Sequence, residues 1–299
     1  MAGSVPRGAV AMLVTVFDAG LAIDIDAMVR QSAFARDRGA TGIALFGLAG
    51  EGTKLTPDEK VAIASAVAED IQGLPLIAAA DALGTADAAA LAARFAGVGV
   101  DHIMAMPPPS IGDPAGLATH YGAIVTESGL TCILQDAPAA SHVNLTAAAI
   151  GAIVLAEPGV TAIKVEAPPI PMKVRRLRAT LPAGVDLYGG RGGLTLLTEL
   201  SLGAIGTMVG PAYLDLIAAV CDPTIDEESR IAAAARVLPL VSVAEGNDMY
   251  AQMQKRFLVD AGVIPSAAMR APSGPVGDEL QALWSRVMAA SGAWIASQG

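Results

Sequence analysis

The sequence predicts an α/β fold, a (β/α)8 barrel with a C-terminal helical extension, and three observations carry that expectation. Short apolar runs alternate with longer, alanine-rich amphipathic stretches from Ala9 to Cys221, the pattern of parallel strands joined by crossover helices. No switch in pattern divides this region, and a single barrel commonly fills a chain of 299 residues. No G-x-G-x-x-G follows the first run, which removes the main dinucleotide-binding reading of an open doubly wound sheet.

In chain order, the expected strands are Ala9–Phe17, Gly42–Phe46, Leu76–Ala80, His102–Met106, Cys132–Leu134, Ala162–Val165, Val185–Tyr188 and Ala204–Val209. The helices between them run over Ile25–Arg38, Pro57–Ile71, Ala86–Gly97, Pro114–Glu127, Thr146–Ala156, Ile170–Leu181 and Leu194–Leu202. Their start signals are explicit. Thr56-Pro57-Asp58-Glu59 sets an N-cap before a proline and two acids, and Asp113-Pro114 repeats the device. After Gly210 only helices are expected: Ala212–Cys221, Glu227–Val237, Pro239–Ala261 and Val276–Ser297. Residues 1–221 are therefore assigned to the barrel and 222–299 to an extension packed on it.

Composition narrows the function classes. A net charge of −10 leaves no basic stripe to neutralise phosphates, which argues against nucleic acid or an anionic membrane as partner. Mean hydropathy is high at +0.53, yet charged residues or proline interrupt every apolar run before a spanning length of roughly 18 residues. Cys132 and Cys221 imply no disulfide framework, so a cytoplasmic setting is expected. The three histidines, His102, His120 and His142, never stand at metal-ligand spacing, and no metal or other cofactor is expected.

Chemistry enters at Val160–Glu166, V-T-A-I-K-V-E. Lys164 and Glu166 are two residues apart in a strand and project from one face. Of the five lysines, only Lys164 falls inside an apolar strand. Taking an ammonium out of water costs several kcal/mol unless it is paired or loses its proton, which makes Lys164 a candidate amine nucleophile. The competing reading is a lysine that snorkels out of the sheet rim.

In a barrel the C-terminal strand ends converge on one mouth. The second strand leads into Gly47-Leu48-Ala49-Gly50-Glu51-Gly52-Thr53, whose backbone amides suit a carboxylate. The fifth ends Gln135-Asp136-Ala137-Pro138, an amide beside a carboxylate. The seventh ends Gly189-Gly190-Arg191-Gly192-Gly193, where glycines clear space and Arg191 offers a cation. Met208, near the end of the eighth strand, is assigned to the pocket wall. Asp81 ends the third strand, either against a substrate hydroxyl or as a cap before Gly84-Thr85. Glu199 is expected in the seventh helix, away from the mouth.

Taken together, these segments resemble the dihydrodipicolinate synthase and N-acetylneuraminate lyase family. The likeness is carried by Thr15-Val16-Phe17, Gly47-x-x-Gly50-Glu51, Leu55-Thr56-x-x-Glu59, Ile163-Lys164, Gly203-x-x-Gly206, Lys255-x-x-Leu258-x-x-x-Gly262-x-Ile264 and Arg270-x-Pro272. It implies a TIM barrel, a homo-oligomer (tetramer or dimer), and a lysine that forms a Schiff base with a small-molecule 2-oxo acid. Lys164 matches that lysine and the Gly47–Gly50 loop matches the carboxylate loop, with Leu48-Ala49 where the family has two threonines. Thr53 is assigned a supporting hydroxyl. Gln135 stands where the family carries a proton-shuttling tyrosine, and Ala139-Ala140-Ser141-His142 lacks the arginine that binds a distal carboxylate. Lys-x-Glu without the tyrosine is similar to the family's 2-keto-3-deoxy sugar acid dehydratases. The expected site is therefore Lys164, Glu166 and Gln135 as catalytic groups, with Gly47, Leu48, Ala49, Gly50, Thr53, Gly190, Arg191 and Met208 around the substrate. Condensation or retro-aldol cleavage is the alternative reaction. A silent ligand-binding barrel is the alternative from outside enzymology.

Overall fold

A computed structural model describes residues 4–244 and 246–292 of the chain. Eight parallel strands close in sequence order, β1-β2-β3-β4-β5-β6-β7-β8, into a barrel. They are β1 Gly8–Met12, β2 Gly42–Leu45, β3 Leu76–Ala79, β4 His102–Ala105, β5 Thr131–Asp136, β6 Val160–Val165, β7 Asp186–Gly189 and β8 Gly206–Val209. The connecting helices are α1 Ile25–Asp37, α2 Pro57–Asp70, α3 Thr85–Ala96, α4 Pro114–Ser128, a short α5 Pro138–Ser141, α6 Ala147–Ala156, α7 Ile170–Thr180, α8 Leu196–Ser201 and α9 Leu214–Cys221. Three helices follow: α10 Glu227–Ser242, α11 Asn247–Asp260 and α12 Asp278–Ser291. No helix among the described residues is long and apolar enough to cross a membrane.

The capping chemistry read from the sequence operates as written. Thr56 and Glu59 form a reciprocal capping box at the start of α2, and Asp113 accepts from the Gly116 amide ahead of α4. Where β8 returns to β1, a Cβ on Gly206 would stand 2.0 Å from the Gly8 carbonyl oxygen, so only glycine closes the barrel there.

The largest departures from the expected boundaries lie at the first strand and around Pro239. The first strand ends at Met12 rather than Phe17. Gln31, fully buried on α1, takes both polar groups of Val14: its Oε1 accepts from Val14 N (2.8 Å) and its Nε2 donates to Val14 O (2.9 Å). The Leu13 amide still bonds the Ala44 carbonyl at 2.9 Å, and from Val14 a side chain replaces the ladder. Proline was expected to end a helix near Val237, yet α10 runs through Pro239 to Ser242. Burial of Val237 and Leu240 (1% and 0% exposed) outweighs the one backbone hydrogen bond that proline forfeits. The expected helix Pro239–Ala261 is accordingly only α11, and the last, Val276–Ser297, is α12; its positions 293–297 lie outside the described residues.

A charged network fastens α11 and its following loop to the barrel. Lys255 on α11 is fully buried; its Nζ donates to Glu51 Oε1 (2.5 Å) and to the Ala268 carbonyl (2.6 Å). Glu51 Oε2 takes Lys54 Nζ (3.0 Å) and the Arg270 amide (3.2 Å). Arg270 grips Glu59 through two bonds, Nη1 to Oε2 at 2.9 Å and Nη2 to Oε1 at 2.6 Å. Phe17 lies beneath both cations, 4.5 Å from Lys255 Nζ and 4.6 Å from Arg270 Cζ.

Removing Lys255 leaves the Glu51 carboxylate buried without its main partner, so Lys255→Met should cost about 3–5 kcal/mol in urea unfolding. The Arg270 hydrogen bonds pull Glu59 from 4.5 down to about 2. A lowered folded-state value stabilises the fold above the ordinary carboxylate range, and that contribution disappears as pH falls from 4.5 towards 2. Between pH 5 and 2 the difference in unfolding free energy between wild type and Glu59→Gln should shrink from about 1–2 kcal/mol, a figure reduced for solvent screening, to near zero.

Candidate active site

Lys164 occupies the fifth position of β6, in register with Gln135 on β5 and Tyr188 on β7. Its side chain is 5% exposed, and it lines a cavity of about 520 Å³ at the C-terminal mouth. Glu166 lies one residue past the strand and turns back towards the amine, with Lys164 Nζ 3.7 Å from its Oε2. The same oxygen accepts from Gln135 Nε2 at 2.6 Å, and Oε1 accepts from the Arg191 amide at 3.2 Å. Two fixed donors and one cation therefore hold the carboxylate at the base of the cavity. Gly190 makes room for it: a Cβ there would lie 2.5 Å from Glu166 Cγ.

Leu48 and Ala49 form the opposite wall. They open a 3-10 turn, Leu48–Gly50, and among the described residues neither amide donates a hydrogen bond. Gly50 is already spent, its amide closing on the Gly47 carbonyl at 2.9 Å. Thr15 Oγ1 donates to the Gly50 carbonyl (2.6 Å), which anchors the turn to the chain leaving β1. Two free amides at the start of a turn suit one carboxylate. Met208 closes the floor from β8. Arg191, exposed at the rim, is among the residues lining the cavity, and its amide holds Glu166.

Other positions fall elsewhere. Thr53 is exposed and borders a second cavity together with Asp81 and Asp248, so its hydroxyl does not join the loop amides facing Lys164. The reason is local: Glu51 adopts a left-handed backbone (φ 52°) that turns the chain away after Gly50. Asp81 does not cap α3, whose N-cap is Gly84 without a side-chain bond; it accepts from the Met106 amide at 2.7 Å. Burial lifts Asp81 to about 6 despite that bond and the pull of Lys60. Asp136, beside Gln135 in sequence, faces outward and pairs with Lys173 at 3.0 Å. Glu199 is fully buried, takes Thr195 Oγ1 at 2.5 Å, and is pushed up by burial to about 7. His102 and His120 bond to Thr131 and Thr85, and no group of three or more His, Cys, Asp or Glu side chains among the described residues is placed to hold a metal ion.

One cavity residue had no signal in the sequence. Tyr250, on α11, reaches the mouth from the extension, and only the packing of α11 onto the Leu48–Gly50 turn brings it there.

The chain matches the model of the family described as "Dihydrodipicolinate synthetase family" over residues 5–290. It is 28% identical over 276 residues to 4-hydroxy-tetrahydrodipicolinate synthase of Bifidobacterium longum, covering 90% of this chain and 89% of that protein. The crystal structure of dihydrodipicolinate synthase from Rhodopseudomonas palustris superposes with a TM-score of 0.87 at 25% identity, covering 95% of this chain and 97% of that one. Proteus mirabilis N-acetylneuraminate lyase shares the fold, with a TM-score of 0.86 at 17% identity over 96% and 99% of the two chains.

Gly190→Ala should displace the Glu166 carboxylate by roughly 1 Å while sparing the barrel. A crystal structure of the variant should show that shift of Glu166 away from Gln135 Nε2 and the Arg191 amide, with an unchanged circular dichroism spectrum.

Proposed function

This chain belongs to the dihydrodipicolinate synthetase family, and on that premise we propose that it is a Schiff-base lyase acting on a 2-oxo acid. One observation carries the reading: a single side-chain amine lines the mouth cavity, nearly buried, with a carboxylate at 3.7 Å that is itself held by an amide at 2.6 Å. Lys164 adds to the ketone, and the Leu48 and Ala49 amides receive the adjacent carboxylate. Imine formation acidifies the hydrogens at C3, and Glu166 takes one of them. Gln135 cannot titrate; it orients the carboxylate that does.

We place dehydration of a 2-keto-3-deoxy sugar acid first among the reactions that begin from this imine. Three features support it. Glu166 stands on the lysine's own strand face as a base for C3. Gln135 replaces a group that would titrate beside the amine. The β5 side of the cavity presents Ala137, Ala139 and Ala140, with no cation for a second carboxylate. Retro-aldol cleavage shares every step up to the enamine and is the competing outcome. We further propose a homo-oligomer working in the cytoplasm.

Incubation with pyruvate and borohydride should add one reduced pyruvyl group, localised by mass spectrometry to Lys164 and missing from Lys164→Met. An unmodified wild-type protein would identify a silent barrel. With a 2-keto-3-deoxy sugar acid, a deoxygenated oxo acid retaining every carbon marks the dehydratase, and release of pyruvate marks the aldolase.

A further inference from the structure

Breaking a carbon–oxygen bond needs a proton donor for the departing hydroxyl; Gln135 has no acidic proton to give, and Glu166 is assigned above as the base for C3. Among the described residues lining the cavity, Ser242 and Tyr250 alone carry hydroxyl groups. Ser242 turns back on its own helix, its Oγ donating to the Pro239 carbonyl at 3.0 Å.

Tyr250 is placed by a chain of hydrogen bonds across the ends of β7 and β8. Its Oη accepts from the Gly210 amide at 3.1 Å and lies 2.8 Å from Tyr213 Oη. Tyr213 is fully buried, and its hydroxyl also reaches the Gly192 carbonyl at 3.2 Å. Each phenol has one proton, so the chain has two settings. With Tyr213 donating to Gly192, Tyr250 donates to Tyr213 and is tied back. With Tyr213 turned to Tyr250, the Tyr250 proton is released, and the oxygen it leaves has two donors, the Gly210 amide and the Tyr213 hydroxyl. A side chain at Gly192 would close this arrangement, since its Cβ would lie 2.9 Å from Tyr213 Oη. Burial holds Tyr250 up at about 12, so near neutrality it keeps the proton it has to give. Lys164 on β6 and this phenol line the same cavity, with Gln135 beside the lysine on β5 and the phenol held at the ends of β7 and β8.

We propose that Tyr250, delivered by the C-terminal extension and aligned by Tyr213 and the Gly210 amide, is the proton donor to the hydroxyl that leaves during imine formation. The step rests on the Schiff-base reading of Lys164. The amine adds to C2 of the oxo acid and a carbinolamine forms. The C2–O bond then breaks as nitrogen supplies the electron pair for C=N, and Tyr250 protonates the departing hydroxyl to give water. The Lys164 ammonium gives one proton to bulk water before attack, and the phenolate takes one back from bulk water after the hydroxyl has left, so no net proton is consumed.

Exchange of the pyruvate methyl hydrogens for deuterium, followed by NMR in D2O, reports imine formation without knowledge of the physiological substrate. Tyr250→Phe should slow exchange by about 100-fold, with the half-saturating pyruvate concentration changed less than about threefold and Lys164 still trapped by borohydride on long incubation. Tyr213→Phe, which keeps the Tyr250 phenol and removes its partner, should slow exchange by roughly 10-fold. Wild-type exchange rates in both variants would overturn the assignment. So would losses in which half-saturation and thermal midpoint move together with rate, the signature of a latch for α11. Should Tyr250→Phe fail to fold, Tyr213→Phe alone decides between these outcomes. A wild-type protein that forms no adduct with pyruvate removes the Lys164 reading itself, whereas an adduct together with an unimpaired Tyr250→Phe removes only the role of the phenol.

Discussion

The buried pair between Glu51 and Lys255 is the contact on which the mouth of this barrel depends. Glu51 follows the Leu48–Gly50 turn directly, and Lys255 lies five residues beyond Tyr250 on α11. One 2.5 Å interaction therefore sets both the turn whose amides face the cavity and the helix that brings a phenol to it. Two ions so deeply buried repay their desolvation only with further partners. The structure supplies them: the Ala268 carbonyl and the Phe17 ring for the lysine, and Lys54 with the Arg270 amide for the glutamate. Desolvation lowers the Lys255 pKa, and the Glu51 carboxylate opposes that shift.

Seen from this pair, the scattered residues of the sequence resemblance become one device. Thr15 holds the turn through the Gly50 carbonyl, Phe17 underlies two cations, Glu59 caps α2 while gripping Arg270, and Lys255 ties the extension down. None of these side chains faces the cavity beside Lys164. They form the frame that lets a short, flat turn present its amides in a fixed direction. Catalysis by pre-set dipoles needs such rigidity, because donors that must reorganise during reaction contribute less.

The site itself follows a different logic. Gln135 and Lys164 are register partners on adjacent strands and Glu166 lies one residue past β6, so barrel register sets their spacing. Gly190 and the Arg191 amide complete the carboxylate's seat from β7. Substitution at Gln135 therefore acts on the position of the carboxylate that its amide holds. The extension, by contrast, reaches the cavity from outside the barrel, through Tyr250 and Val241.

Local physics decided much of this molecule in the sequence. The two-residue period of a strand placed Lys164 and Glu166 on one face, apolar runs separated by capped helices specified a barrel, and glycine runs marked the loops at its mouth. These are short-range statements, and short-range sterics and hydrogen bonding enforce them. The tertiary structure alone decided that Thr53 turns away from the lysine, because a left-handed Glu51 redirects the chain, and that Asp81 binds Met106 rather than α3. It alone decided that α10 continues through a proline once its apolar face is buried, and that Tyr250 meets Gly210 and Tyr213. Contacts between segments far apart in the chain leave no period or spacing to read; they exist only when a closed barrel brings the strand ends and the last helices to the same mouth.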